Sequence, residues 1–212
     1  MHRLLVLLLL MTGAAEASVR VVDGDTLEIN GTTYRIDGID APEAGQTCKT
    51  ATGRDWRCGK RATDALFELV DGKVVRCRAH GADRYGRVIA TCSADGRDLA
   101  RVLVENGFAW AFRKYSDTYV ADELRARHAK RGIWQGDAQP AWEFRKQRWA
   151  NASQQAPDGC PIKGNISKHG RIYHAPWSPW YSRTKISPAK GERWFCDEAE
   201  AIAAGWRAPL WH

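Results

Sequence analysis

Residues 19–22 (VRVV), 26–30 (TLEIN) and 32–39 (TTYRIDGI) are short runs in which β-branched and other apolar residues alternate with polar ones. Alternation with a period of two is the mark of a strand with one buried face. Asn30-Gly31 falls between the second and third runs, where both central residues of a two-residue hairpin turn need a positive φ. The pattern therefore predicts three antiparallel strands in sequence. After a loop holding Cys48 and Cys58, the period changes: Ala62, Ala65, Leu66 and Leu69 fall on one helical face, and Asp71-Gly72 follows. This predicts a helix from about residue 59 to 70. Residues 73–79 and 87–92 read as two further strands around a polar turn, and helices are expected over residues 98–105 and 116–131, stopped at Asn106-Gly107 and Gly132.

Five strands with about three helices predict an α+β, mainly β fold, a small five-stranded barrel of the OB-fold type packed on helices. Residues 150–158 are small, polar and interrupted by Pro157, as expected of a linker. Beyond them, residues 159–212 hold five of the ten tryptophans, two cysteines and few aliphatics. Such a module has to be held by aromatic packing and a disulfide. The expected organisation is residues 18–149 as one domain, 150–158 as linker and 159–212 as a small C-terminal domain.

Composition narrows the class. The 212 residues include 32 Lys and Arg against 25 Asp and Glu, a net charge of +7, with 44% hydrophobic residues. These values exclude disordered and collagen-like chains. Residues 1–17 combine Arg3, an apolar run over residues 4–11 and the small-x-small sequence Ala15-Glu16-Ala17, the arrangement of a cleaved export signal with a mature start at Ser18. No later stretch has eighteen uninterrupted apolar residues, so no membrane association is expected after cleavage. A periplasmic or secreted location follows as an expectation. The basic charge suits nucleic acid, an acidic polysaccharide or a membrane surface equally. All six cysteines lie beyond the signal, and an even count in an exported chain reads as disulfides. Six cysteines allow fifteen connectivities; local spacing favours Cys48–Cys58, Cys77–Cys92 and Cys160–Cys196.

Candidate chemistry lies in two acidic turns, Asp23-Gly24-Asp25-Thr26 and Asp40-Ala41-Pro42-Glu43. A twisted meander brings these strand ends together and places up to four carboxylates in one pocket. Carboxylates so close repel unless a cation sits among them, and hard oxygen donors without a Cys or His nearby suit Ca²⁺ or Mg²⁺. Taken singly, each fragment is ordinary turn chemistry. Two arginines change the reading: Arg35 in the strand leading to Asp40, and Arg87 just beyond the turn Asp83-Arg84-Tyr85-Gly86. Acids beside planar guanidinium forks suit metal-assisted attack on a phosphodiester.

Asp23–Thr26 (DGDT), residues 34–40 (YRIDGID), 41–43 (APE), 83–87 (DRYGR) and 96–107 (GRDLARVLVENG), in this order, resemble the staphylococcal nuclease (thermonuclease) family over about residues 19–135. The resemblance implies that Asp25, Asp40 and the backbone carbonyl of Ala41 bind Ca²⁺. The family often carries Thr where Ala41 stands, a change to which a carbonyl ligand is insensitive. By the same resemblance Glu43 orients or deprotonates the attacking water, and Arg35 and Arg87 grip the phosphate. DNA and RNA are the implied substrates, cleaved to 3′-phosphorylated products. The best-known members carry two tyrosines near the base in the segment matching residues 112–115. Here Tyr115 matches one and Arg113 stands in the other's place, where it is expected to touch phosphate or stack by its guanidinium plane; Tyr85 stays beside the phosphate.

Three other readings bear on the tail and the basic charge. The C-terminal segments IKGNIS, IYH, ERWFC and EAEAIAAG resemble the sunset domain. Cys160, His169, His174 and Cys196 nominally offer a zinc set, which their spacing and the export signal disfavour. Eight basic against five acidic residues from Asp158 onward suit the same anionic partner as the first domain, or a cell-envelope polymer docked through the tail, and no stable protein partner is implied. A non-catalytic nucleic-acid-binding module is the contrasting function, but it has no need of Asp25, Arg35, Asp40, Glu43 and Arg87 together.

Overall fold

In the opening hairpins of the computed structural model, which describes residues 18–210, the strands are β1 (Val19–Asp23), β2 (Thr26–Ile29) and β3 (Thr32–Ile36). The expected export signal at residues 1–17 lies outside the described residues. The turn between β2 and β3 is built on Asn30 and Gly31, with φ of 50° and 82°, the geometry that matches strand twist. Val21, Leu27 and Ile36 point inward and are buried.

Helix α1 (Cys58–Val70) crosses over the sheet, burying Ala62, Ala65 and Leu66. The chain then returns as β4 (Val75–Ala82) and β5 (Val88–Ala94). Strand β5 lies beside β3 in parallel, with Arg35 opposite Ile89, and beside β4 in antiparallel register. The sheet order is therefore β1-β2-β3-β5-β4, and Arg97–Asp98 adds a short sixth strand on β5. Closure of the expected five-stranded barrel is not seen: among the described residues the sheet path is not closed by continuous backbone pairing. At Asp37-Gly38 the chain leaves the sheet, and Ile39–Asp40 pairs instead with Trp110–Ala111.

Two helices complete this unit, α2 (Leu99–Glu105), capped by the Asp98 side chain, and α3 (Val120–His128). The third helix is shorter than the expected 116–131. Its start is delayed because the Ser116 hydroxyl accepts from the Thr118 backbone N–H and ties residues 116–118 into a turn. At its end Arg131 N–H donates to the Ala126 carbonyl, with Lys130 at φ 51°. A second cluster gathers Trp110, Ile133, Ala141 and the Cys48–Cys58 bridge, with Trp56 and Trp134 against it.

Helix α4 (Ala141–Ser153) runs through residues 150–153, so the expected linker 150–158 is helical in its first part. The C-terminal module follows as an antiparallel sheet in the order β7-β6-β8, with β6 (Ile162–Ser167) central, β7 (Gly170–His174) and β8 (Arg193–Phe195). Short helix α5 (Glu198–Ala203) packs on it. Its core is Ile162, Tyr173, Phe195, Ala201 and Trp206, with Trp149 of α4 packed against them. Cys77–Cys92 links β4 to β5, and Cys160–Cys196 closes the tail. Cys160 and Cys196 are thereby removed from any zinc set, and both ring nitrogens of His174 already have partners, Ser178 and Asn165. Among the described residues no helix is long and apolar enough to cross a membrane.

Candidate active site

Four elements deliver the acidic pocket. Asp25 sits in the β1–β2 turn, Arg35 faces Thr26 across the β2–β3 ladder, Asp40 ends the short strand paired with Trp110, and Glu43 lies on the loop before α1. The Asp25 carboxylate is buried; its Oδ2 accepts from the Ala41 backbone N–H at 2.7 Å and its Oδ1 from the Thr26 hydroxyl at 3.1 Å. Arg35 pairs with Asp25 and donates from Nη2 to Asp40 Oδ1 at 2.9 Å. One guanidinium thus joins the two acidic turns.

The loop that carries Glu43 is fixed from below. Gln46, fully buried, accepts from the Glu43 N–H at 3.2 Å and donates to the Gln139 carbonyl at 2.5 Å. Gly59 lets the first turn of α1 lie on this loop, since a Cβ there would meet the Glu43 carbonyl oxygen at 1.6 Å.

Arg87 stands on the neighbouring turn. Asp83 Oδ2 accepts from Arg87 Nε at 2.7 Å, while Oδ1 accepts from the backbone N–H of Tyr85 and of Arg87 at 2.9 and 3.0 Å. The Tyr85 ring lies under the Arg87 guanidinium, 5.3 Å from its centroid. Arg87, Tyr85, Asp23 and Glu43 line one cleft of about 430 Å³, whose opposite wall is the C-terminal module with Tyr173, Trp177, Trp180 and Glu198.

Electrostatics follow from crowding and partial burial of the acids. Burial pushes Glu43 up to about 7, against the pull of Arg145, with Asp25 and Asp40 adding to the rise. Burial and the charges of Asp25 and Glu43 hold Asp23 well above the usual carboxylate range. Burial also works against an ionised Asp25, but Arg35 and the Ala41 N–H outweigh it and hold the carboxyl low. Acids with separated proton affinities in one pocket suit acid–base work.

Several functional groups have no local signature in the sequence. Arg145 of α4 donates from Nη1 to Glu43 Oε1 at 2.7 Å and to Asp40 Oδ1 at 3.0 Å, and from Nη2 to Asp40 Oδ2 at 2.9 Å. Its only sequence signal is the spacing Trp142, Arg145, Trp149, one face of a helix. Asp83 and Gln46 also escape a reading based on charge clusters, because they act through other residues. The expected base contacts are not brought to this cleft. Arg113 is bound to Glu123 at 3.3 Å, and Tyr115, 68% exposed, packs edge-on against Phe112 at 5.0 Å.

The donor set of Asp25, Asp40 and the Ala41 carbonyl is all oxygen and fits a hard divalent cation such as Ca²⁺. Among the described residues no three acidic, His or Cys side chains already converge on a metal position; the Asp40 oxygens turn to guanidinium forks, which stand in as the counter-charge.

Acids and arginines at one end of a small β unit define a phosphodiester hydrolase. The sequence model of the family described as "Staphylococcal nuclease homologue" matches residues 33–136, and that of the family ArfC matches residues 144–208. The chain is 41% identical over 143 residues to the succinoglycan biosynthesis protein ExoI of Rhizobium meliloti (strain 1021), covering 62% of this chain and 73% of that one. It is 36% identical over 138 residues to an uncharacterized endonuclease of Escherichia coli, covering 61% and 84%. With the micrococcal nuclease of Shigella flexneri it shares 31% over 146 residues, covering 60% and 78%. The chain belongs to the staphylococcal nuclease family and is a nuclease, with an α+β fold of the OB type that the family implies.

Proposed function

We propose that this nuclease hydrolyses DNA and RNA in a Ca²⁺-dependent reaction that leaves 3′-phosphorylated products, and that it works in the periplasm or outside the cell. The observation that carries the reading is the joining of Asp25, Arg35 and Asp40, and through Arg145 also Glu43, in one hydrogen-bonded cluster beside the cleft that Glu43 shares with Arg87.

Asp25, Asp40 and the Ala41 carbonyl are the residues that would hold Ca²⁺. When bound, the ion supplies positive charge to the phosphate and a place for water. Glu43, which lines the cleft together with Arg87, takes the proton of the attacking water. The water oxygen forms a bond to phosphorus as the bond to the 5′ oxygen breaks, so the phosphate stays on the 3′ oxygen and the other fragment leaves with a 5′ hydroxyl. Arg35 and Arg87 grip the non-bridging oxygens, where negative charge grows in the transition state. Asp83 holds Arg87 by its Nε, leaving both Nη groups for phosphate. Tyr85 stands at the same cleft as an aromatic face beside that phosphate. Three disulfides support an oxidising compartment.

Digestion of single-stranded DNA and RNA with Ca²⁺, with Mg²⁺ and with chelator tests the reading, alongside Glu43→Ser and Arg87→Gly. Each substitution is expected to cost at least ~3 kcal/mol of transition-state stabilisation, about two decades in rate, with 3′-phosphate ends on all products. Activity that persists in chelator removes the metal from the mechanism, and activity untouched by both substitutions removes the site.

A further inference from the structure

Arg145 occupies both carboxylate oxygens of Asp40, one of the residues that would hold a metal ion. Asp40 is completely buried, and three bonds engage its two oxygens: Oδ1 accepts from Arg35 Nη2 at 2.9 Å and Arg145 Nη1 at 3.0 Å, and Oδ2 accepts from Arg145 Nη2 at 2.9 Å. The same Nη1 takes Glu43 Oε1 at 2.7 Å. A bidentate fork of this kind is among the stronger and more geometrically defined charge-assisted contacts. A divalent cation binding Asp40 Oδ2 meets the Arg145 charge, whose Nη2 is 2.9 Å from the same oxygen, and is repelled by it while the fork holds.

The fork is placed by a helix clamped at both ends. Trp142, three residues before Arg145, stacks on Phe112 with ring centroids 5.7 Å apart and meets Trp110 edge-on at 6.1 Å. Trp149, four residues after it, packs on Trp177 of the C-terminal module at 6.1 Å. Arg145 also lies beyond residues 33–136, matched by the nuclease family model, and within residues 144–208, matched by the ArfC model. On the other side of the cleft the module presents an acid to the arginine half of the site: Glu198, bonded to the Tyr173 hydroxyl at 2.9 Å, lines the cleft together with Arg87. The C-terminal part of the chain thus meets acids with a base and a base with an acid.

We propose that Arg145 is the resident cation of the acidic pocket: it holds Asp40 and Glu43 in the metal-free chain, Ca²⁺ has to displace it, and it thereby sets the metal affinity of the enzyme. The inference rests on the reading that this pocket takes Ca²⁺.

Calorimetric titration of the full chain with CaCl₂, in the absence of substrate, tests it on wild type, Arg145→Met and Arg145→Lys. Met keeps an unbranched stem against the helix and removes the charge. Arg145→Met is expected to bind Ca²⁺ at least tenfold more tightly than wild type, with Arg145→Lys in between because it keeps the charge and loses the fork. Equal or weaker binding by Arg145→Met overturns the role of Arg145. Absence of binding heat in all three chains overturns the Ca²⁺ reading and this inference with it, so the two failures are distinguishable. A second measurement needs no Met variant: in wild type labelled with ¹⁵N-arginine, the guanidinium signal missing from Arg145→Lys is expected to collapse to the exchange-averaged position of a free arginine at saturating Ca²⁺. A signal that stays protected at saturation overturns the proposal.

Discussion

Glu43 shows how one side chain ties stability to chemistry. An ordinary Glu titrates near 4.3 in an unfolded chain, whereas burial raises Glu43 in the fold to about 7. Between these values the folded chain keeps a proton that the unfolded chain has released, so the contribution of Glu43 is full at low pH and is lost as pH rises toward 7. At 1.36 kcal/mol per pKa unit the loss reaches about 3–4 kcal/mol. Glu43→Gln has no such proton to lose. Denaturant unfolding of the metal-free proteins is therefore expected to show the variant gaining about 3 kcal/mol on wild type between pH 4 and pH 8; a constant gap contradicts the raised proton affinity. Asp83 is a positioning residue of another kind, since it touches Arg87 and the turn but not the acidic pocket. Asp83→Ala is expected to lower kcat by about tenfold to a hundredfold, the worth of one charge-assisted hydrogen bond, with little change in KM. Asp83→Asn keeps an acceptor for the two backbone N–H groups and is expected to recover part of kcat. Equal loss in both variants points to the lost Nε pair alone, and an unchanged kcat in Asp83→Ala removes the positioning role.

Elements differ in how openly the sequence declares them. The Asn30-Gly31 hairpin and helix α1 are legible because their signals are local: a turn that needs two positive φ values, and an apolar face repeated within a dozen residues. The parallel pairing of β3 with β5 and the departure of Ile39–Asp40 from the sheet are not legible, since they depend on residues about fifty to seventy positions apart. Helix α4 lacks a strong apolar stripe; its face is two tryptophans and an arginine, and its partners lie in both units. For the same reason Asp25, Arg35, Asp40, Glu43 and Arg87 could be nominated from short motifs, while Arg145, which is 105 positions from Asp40, could not. One local requirement of the site is testable at this scale. Gly59→Ala forces a methyl onto the Glu43 carbonyl and separates α1 from the loop. It is expected to cost about 1–3 kcal/mol, the usual range for overpacking, and to lower activity as Glu43 shifts. Wild-type unfolding midpoint and rate in this variant show that the close approach is not required.

At the scale of the whole molecule, the C-terminal module forms one wall of the cleft into which Glu43 and Arg87 open. Its segment around Trp177 and Pro179 also lies directly on the loop at Gly45, where an added Cβ would meet the Trp177 carbonyl at 2.8 Å. A cleft of about 430 Å³ has room for a nucleotide or so, whereas a duplex presents its grooves and both phosphate strands together and has to approach as a stiff body. A single strand can bend a base and its phosphate into such a space. The intact chain is therefore expected to show at least a tenfold higher kcat/KM for a single-stranded oligonucleotide than for the same sequence in a blunt duplex, by more than the cost of local strand opening. The wall itself is held by a small aromatic core and by Cys160–Cys196, a bridge spanning 36 positions, for which loop entropy gives a stabilisation of about 4 kcal/mol. Replacing both cysteines by serine loosens the wall without touching the acids or arginines of the site. In that variant the preference for the single strand is expected to shrink by severalfold, read from the two kcat/KM values under one salt condition because phosphate contacts weaken steeply with salt. If the ratio stays the same while the tail is demonstrably loosened, as followed by tryptophan fluorescence, the module does not govern access to the cleft.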